Sequence, residues 1–223
     1  MNILLIDDGL GSVEFMRKLA EGGMGGDLLI DNKNYPYALR ERSILALSIK
    51  LLNRFKAENY IVTNPAIAVN LQNSNRKIID GLEKFYALAG EGALVLTNRY
   101  FARHLKGEKG VKAVDAQVLS NQVQFFDIKE YILANILDYY LEGHEEVFFM
   151  DSNLYVLKDF VLKRYKGKKI HFLQDFIMDE LEALKVKGNS KGEIFVTMDR
   201  RSVYLNLEDT YAESFWKVKN TAL

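Results

Sequence analysis

The chain contains no cysteine, so disulfides, thiolate metal sites and every mechanism with a sulfur nucleophile or base are excluded. Only two of its 223 residues are proline, and with 12% aromatic residues this argues against long disordered segments. It has no excess of charge: thirty basic and thirty acidic residues cancel. The positive field that a nucleic acid or an anionic membrane would favour is therefore missing, and neither is expected as a partner. No run of eighteen uncharged apolar residues occurs, and the apolar stretch at the N-terminus is too short for a signal peptide, so a cytoplasmic protein is expected. What the chain does have is an ordinary globular composition, 48% hydrophobic and 27% charged. A chain of this length buries roughly 70% of its unfolded surface without staples.

Ile3 to Ile6 form a continuous apolar run that stops at Asp7-Asp8-Gly9-Leu10-Gly11-Ser12, after which Val13, Met16 and Ala20 recur at helical spacing. The alternation returns with Leu28 to Ile30 as a strand, Ile44, Leu47, Leu51, Leu52 and Phe55 as a helix stripe, and Tyr60 to Val62 as a strand. A short strand at 77–80 and a helix near 83–89 follow, and Gly90-Glu91-Gly92 breaks the pattern. It restarts at Leu94 to Leu96 and Val111 to Val114, then at a helix carrying Ile128, Ile132, Leu133, Ile136 and Tyr140 on one face, and at Val147 to Met150. His171-Phe172-Leu173, a helix around Leu181 and Leu184, an exposed turn over 187–192 and a strand at 193–197 complete it, with Val203 to Leu207 left as strand or helix. Short buried strands alternating with helices predict parallel sheets covered on both faces, in two similar α/β halves.

In such sheets ligands sit beyond the carboxyl ends of the strands. The residues there are Asp7, Asp8, Gly9 and Gly11, then Thr63 and Asn64, then Thr97 and Asn98, then Asp151, Ser152 and Asn153. Small hydroxyl, amide and carboxylate groups suit a small polar metabolite, although each alone also serves as a helix cap. The acids Asp7, Asp8 and Asp151 are also oxygen donors of the kind a divalent cation takes, but no dedicated metal motif is present and no metal is expected. His104, His144 and His171 lack ligand spacing, and the aromatic pairs near 125, 139 and 148 read as core or interface material. Glu21-Gly22-Gly23-Met24-Gly25-Gly26 follows a helix instead of a strand, which makes it a flexible connection and not a phosphate loop, so no cofactor is expected. Asp7-Asp8 after a strand is also similar to the start of a response-regulator receiver domain, but the required acceptor at the end of the third strand is Thr63.

The ordered motifs Asp7-Asp8-Gly9-Leu10-Gly11-Ser12, Asn34-Tyr35-Pro36-Tyr37-Ala38, Thr63-Asn64-Pro65-Ala66, Met150-Asp151-Ser152-Asn153-Leu154-Tyr155-Val156 and Thr197-Met198-Asp199 resemble those of glutamate racemase and the wider aspartate/glutamate racemase superfamily. The resemblance covers most of the chain. It implies two parallel-sheet α/β domains related by a pseudo-twofold axis, residues 1–92 plus 175–223 and residues 93–174, with the cleft between them holding a small amino acid. It also implies a homodimer and cofactor-independent chemistry. In the family two cysteines act as base and acid on opposite faces of the substrate, and their positions here are Thr63 and Asp151. The catalytic candidates are then Thr63, Asp151 and Asp7, and the ligand-binding ones Asp8, Gly9, Pro36, Tyr37, Asn64, Thr97, Ser152 and Asn153. A threonine hydroxyl has no useful basicity without a strong neighbouring base, so two-base racemisation is not expected. Three readings follow: a racemase-like protein binding a small amino-acid-like or carboxylate metabolite, an isomerase, lyase or decarboxylase using Asp151 as a single base, or a dimeric interaction protein whose cleft is filled by Tyr37, Tyr100 or Tyr155.

Overall fold

A computed structural model describes residues 3–9, 11–40, 42–107, 110–125, 128–188, 192–197 and 217–221. The expectations for 189–191, 198–199 and 203–207, and for the side chains at 125 and 126, lie outside the described residues.

The apolar runs become the strands of two sheets in which every pairing is parallel. The first sheet contains β1 (Ile3–Asp7), β2 (Asp27–Ile30), β3 (Asn59–Val62), β4 (Ile78–Ile79), β9 (Glu193–Val196) and β10 (Lys217–Asn220), in the order β10-β9-β2-β1-β3-β4. The second contains β5 (Leu94–Thr97), β6 (Lys112–Asp115), β7 (Glu146–Met150) and β8 (Lys169–Phe172), in the order β6-β5-β7-β8. β1, β3 and β5 are buried along their whole length, which is why they read as unbroken apolar runs, whereas the edge strand β6 alternates with charge and is partly exposed.

The four-strand order β2-β1-β3-β4 recurs as β6-β5-β7-β8, and the register recurs with it. Ile6 lies opposite Val62 in the first sheet, and Thr97 lies opposite Met150 in the second. Thr63 and Asp151, each the first residue past its strand, therefore occupy equivalent points of the two repeats.

Nine helices connect the described strands: α1 (Gly11–Glu21), α2 (Ile44–Arg54), α3 (Pro65–Leu71), α4 (Leu82–Leu88), α5 (Arg99–His104), α6 (Gln117–Phe125), α7 (Glu130–Leu141), α8 (Lys158–Arg164) and α9 (Leu173–Ala183). α1 buries Val13, Phe15, Met16 and Leu19, and keeps Arg17 outside, paired with Glu14 and Glu21. α9 packs on α4 and β4 of the first half and on β7 and β8 of the second, so one helix is shared by both sheets. Gly81, at φ +69°, admits it: a Cβ there would fall 2.8 Å from the Phe176 Cβ.

Two expectations are corrected. α7 buries Leu133, Ala134, Leu137 and Leu141, while Ile132 is 39% exposed. The helix is apolar on two adjoining stripes, and the one offset by a single residue faces the sheet. The glycine run 21–26 is also close-packed at its end, where Gly25 and Gly26 are buried, while residues 21–23 are exposed. A Cβ on Gly26 would lie 2.3 Å from the Ile3 carbonyl oxygen, and one on Gly188 2.2 Å from that of Gly25. Gly188 N–H donates to the Gly23 carbonyl at 3.2 Å, which makes part of the expected exposed turn a packed return.

Because the atom a Cβ at Gly26 would meet is backbone, Gly26→Ala is expected to destabilise the chain by about 1–3 kcal/mol. Urea unfolding of the two proteins checks this, with Gly90→Ala, where a Cβ meets nothing within 4 Å, as the neutral control.

Candidate functional site

β1 ends in a carboxylate that folds back on its own turn. Asp7 Oδ1 accepts the N–H groups of Asp8 at 2.8 Å and Gly9 at 3.4 Å, and Oδ2 accepts the Thr63 hydroxyl at 3.0 Å. Asp8 is held between two loops: Oδ1 accepts Asn64 Nδ2 at 2.6 Å and Oδ2 accepts the Tyr37 N–H at 2.6 Å. Asn64 is the cap of α3, where Oδ1 accepts Ala66 N–H at 2.8 Å and also takes Asn98 Nδ2 from the second sheet at 3.4 Å. Capping and site-building are thus one residue's work, which resolves the ambiguity the sequence leaves at this position.

The second sheet supplies the matching half. Asp151 Oδ1 accepts Asn153 N–H at 3.0 Å and the Ser120 hydroxyl at 3.0 Å, and Asn153 Nδ2 donates to Ser120 Oγ at 3.0 Å. Asn153 Oδ1 then accepts the N–H of Gly11, the first residue of α1, at 2.9 Å. A Cβ on Gly11 would lie 2.4 Å from the Asn153 backbone, so only glycine lets the two sheets approach this closely. Asp7, Asp8, Thr63, Asn64, Asp151, Ser152 and Asn153 are all at most 5% exposed.

Burial is the largest influence on all three acids, and it pushes each carboxyl up. Asp7 is raised despite hydrogen bonding from Ser152, Asp8 and Thr63. Asp8 is raised well above its usual value, with the charges of Asp7 and Asp151 adding to desolvation. Asp151 is pushed up to about 7 by burial, with Asp7 and Asp115 adding repulsion against the Asn153 and Ser120 hydrogen bonds. These mutual influences place the carboxylates of both sheets in one electrostatic cluster, joined through Asp7, which also holds Thr63. No cation is among the main influences on any of them.

Solved structures share this arrangement of strands and helices over their full length. The glutamate racemase of Campylobacter jejuni aligns with a TM-score of 0.73 at 15% identity, covering 94% of this chain and 98% of its own. The fold is that of glutamate racemase. Isoform RacE1 from Bacillus anthracis aligns with a TM-score of 0.70 at 15% identity over 100% of this chain and 97% of its own. The Escherichia coli glutamate racemase, solved with L-glutamate and the activator UDP-MurNAc-Ala, aligns with a TM-score of 0.65 at 14% identity over 99% of this chain and 98% of its own. No protein-family model and no curated protein matches the sequence.

On this glutamate racemase fold the remaining expected residues take structural places. The Thr97 hydroxyl donates to the Met150 carbonyl inside the sheet. Gly9 turns the chain after Asp7, and Pro36, after a cis bond from Tyr35, opens the 3-10 turn Tyr37–Leu39. Tyr37 reaches Asp8 by its backbone only, and its phenol donates to Asp31, which also takes the Thr197 hydroxyl. Of the other tyrosines weighed as cleft-filling, Tyr100 lies 3.5 Å from Asn70 Oδ1, and Tyr155 packs edge-on to Phe15 with centroids 5.7 Å apart. His104 stacks on Phe101, His171 stacks on Phe148 beside Glu146, and His144 is half-buried near Lys112. Among the described residues no group of three His, Asp or Glu side chains is arranged to hold a metal, and no helix is long and apolar enough to cross a membrane.

Asn98, a strand-end residue in the sequence reading, occupies the point of its repeat that Asp7 occupies in the other. Two further residues at the site escaped that reading. Ser120 lies inside α6 and only its contact with Asp151 reveals it. The Tyr35 phenol is raised by burial and by the charges of Asp151 and Asp8, which puts it at the same cluster.

Because Asp151 titrates at about 7 in the folded chain against an ordinary 3.8, the folded state holds a proton that the unfolded chain releases between those values. Its contribution to stability is present below pH 4 and falls as pH rises towards 7, in the same direction as those of Asp7 and Asp8. The chain is therefore expected to be less stable at pH 8 than at pH 5. Asp151→Asn, which keeps the acceptor oxygen, should reduce the difference by on the order of a few kcal/mol in chemical denaturation at the two pH values.

Proposed function

We propose that the chain binds a small amino-acid-like or carboxylate metabolite at the buried network between its two sheets, and that it does not racemise by the two-thiol route of the family it resembles. The observation that carries this is the pair of equivalent positions, Thr63 and Asp151, both gathered around Asp7 and neither bearing sulfur. In this reading they stand where the family's acid and base stand, and residues 1–92 with 175–223 and 93–174 are the two domains. Inversion through a planar intermediate needs a group on each face that is able both to take and to give a proton near neutral pH. Thr63 is already a hydrogen-bond donor to Asp7, and with that neighbour a raised carboxyl, its hydroxyl has no strong base to activate it. A pairing of two copies belongs to the same reading and is checked by sedimentation of the purified chain.

The test is incubation with L- and D-glutamate and L- and D-aspartate in deuterated water, following the α-proton by NMR. No inversion and no exchange is the expected outcome. Racemisation of either amino acid would overturn the proposal.

One observation favours a second reading, in which Asp151 is a lone base for an elimination, decarboxylation or isomerisation. It is 4% exposed and titrates near neutrality, which suits a proton carrier. This reading predicts exchange on one face without inversion, rising as pH passes through about 7 and lost in Asp151→Asn. Exchange that survives the substitution, or that is flat from pH 6 to 8, would rule it out.

A further inference from the structure

Beside the three acids stands a neutral wall, and it is short of donors. The segment after β2 brings in Tyr35, and α6, which packs against the turn following β7, brings in Gln117, Ser120 and Asn121. Tyr35 Oη donates to Asn121 Oδ1 at 2.6 Å, while Gln117 Nε2 donates to the same oxygen at 3.0 Å and to Tyr35 Oη at 3.3 Å. Gln117 is 8% exposed, and among the described residues its Oε1 is buried with no hydrogen-bond partner, as are Gln174 Oε1 and the side-chain amide of Asn59. An unfilled buried acceptor costs about 1–3 kcal/mol, so a donor that reached the Gln117 oxygen beside the acids would be favoured. This wall and the carboxylates are adjacent: the Tyr35 phenol lies in the fields of Asp151, Asp8 and Asp7 and within hydrogen-bonding reach of Ser120. Both hydrogen bonds that Asp151 accepts fall on Oδ1, and among the described residues none reaches Oδ2, which unlike Gln117 Oε1 is not a sealed, buried atom.

We infer that the ligand is a small cationic amine carrying a second N–H group, its ammonium facing the Asp151 side of the acid cluster and its second donor on Gln117 Oε1, and that acidic amino acids are rejected. This rests on the reading of the site as a small-molecule site, keeps the amino group of its amino-acid-like ligand and departs from its carboxylate alternative. Three mutually repelling carboxylates with no lysine, arginine or histidine among their main influences gain from a positive charge. A dicarboxylate brings more of the charge the site already has in excess. The unfilled acceptors ask for nitrogen donors in place of the carboxylate oxygens of glutamate.

Isothermal titration of the full chain at pH 8 with 1,4-diaminobutane, n-butylamine and L-glutamate tests this. The diamine is expected to bind about tenfold more tightly than the monoamine, the ratio worth about 1.4 kcal/mol, and glutamate to give no detectable heat. Gln117→Leu should bring the diamine down to the monoamine, and Gln117→Glu, which keeps an acceptor, should preserve the ratio. Binding of glutamate as tight as that of the diamine would overturn the inference while leaving the proposed absence of two-base racemisation intact, and racemisation in deuterated water would do the reverse. No binding by any of the three, or a ratio untouched by Gln117→Leu, would also overturn it.

Discussion

The N–H of Gly11 donated to Asn153 Oδ1 fastens the start of the first helix onto the turn that follows the third strand of the other sheet. Everything at the site hangs from this junction. It brings the N-terminal end of α1, where unpaired N–H groups carry partial positive charge, up to the turn that carries Asp151, and the segment from Asp7 and Asp8 comes with it. It also seals Asp151, Ser152 and Asn153 against that loop, which is why residues from two separate sheets share one buried network. The absence of a side chain at position 11 is the condition for the contact, since the Asn153 backbone occupies the space a methyl would need.

Closing the junction has an electrostatic cost. Three carboxyl groups are taken out of water together, and the hydrogen bonds they receive are those of ordinary loops: N–H groups, amides and hydroxyls. A core built for stability alone places apolar groups at such points, so the raised acids are a local departure from that rule. Elsewhere the molecule is conventional, with ion pairs such as Arg164–Asp138 and Arg17–Glu21 on the surface, where they contribute little.

Much of the fold was legible because parallel strands buried on both faces must read as apolar runs, and β1, β3, β5 and β7 do. The elements the sequence reading left unassigned are the short or weakly patterned ones: α3 and α8 have seven residues each, and β10 carries lysines at alternate positions. The wrong stripe of α7 arose because Ile132 and Leu133 both continue an i, i+4 series, and only the partner surface decides between them. At the site, the residues right after strands were visible by position. Ser120 was not, because nothing local distinguishes a serine in an amphipathic helix from one that reaches a carboxylate thirty-one residues away. Thr97, visible by position too, donates its hydroxyl to the Met150 carbonyl of the neighbouring strand.

The repeat of strand order and register puts a hydroxyl at one of two equivalent points and a carboxyl at the other. Thr63 gives its hydrogen to Asp7, whereas Asp151 accepts from Ser120 and Asn153, so the two points share a backbone and differ in the direction of their hydrogen bonds. The asymmetry of this repeated scaffold lies wholly in its side chains.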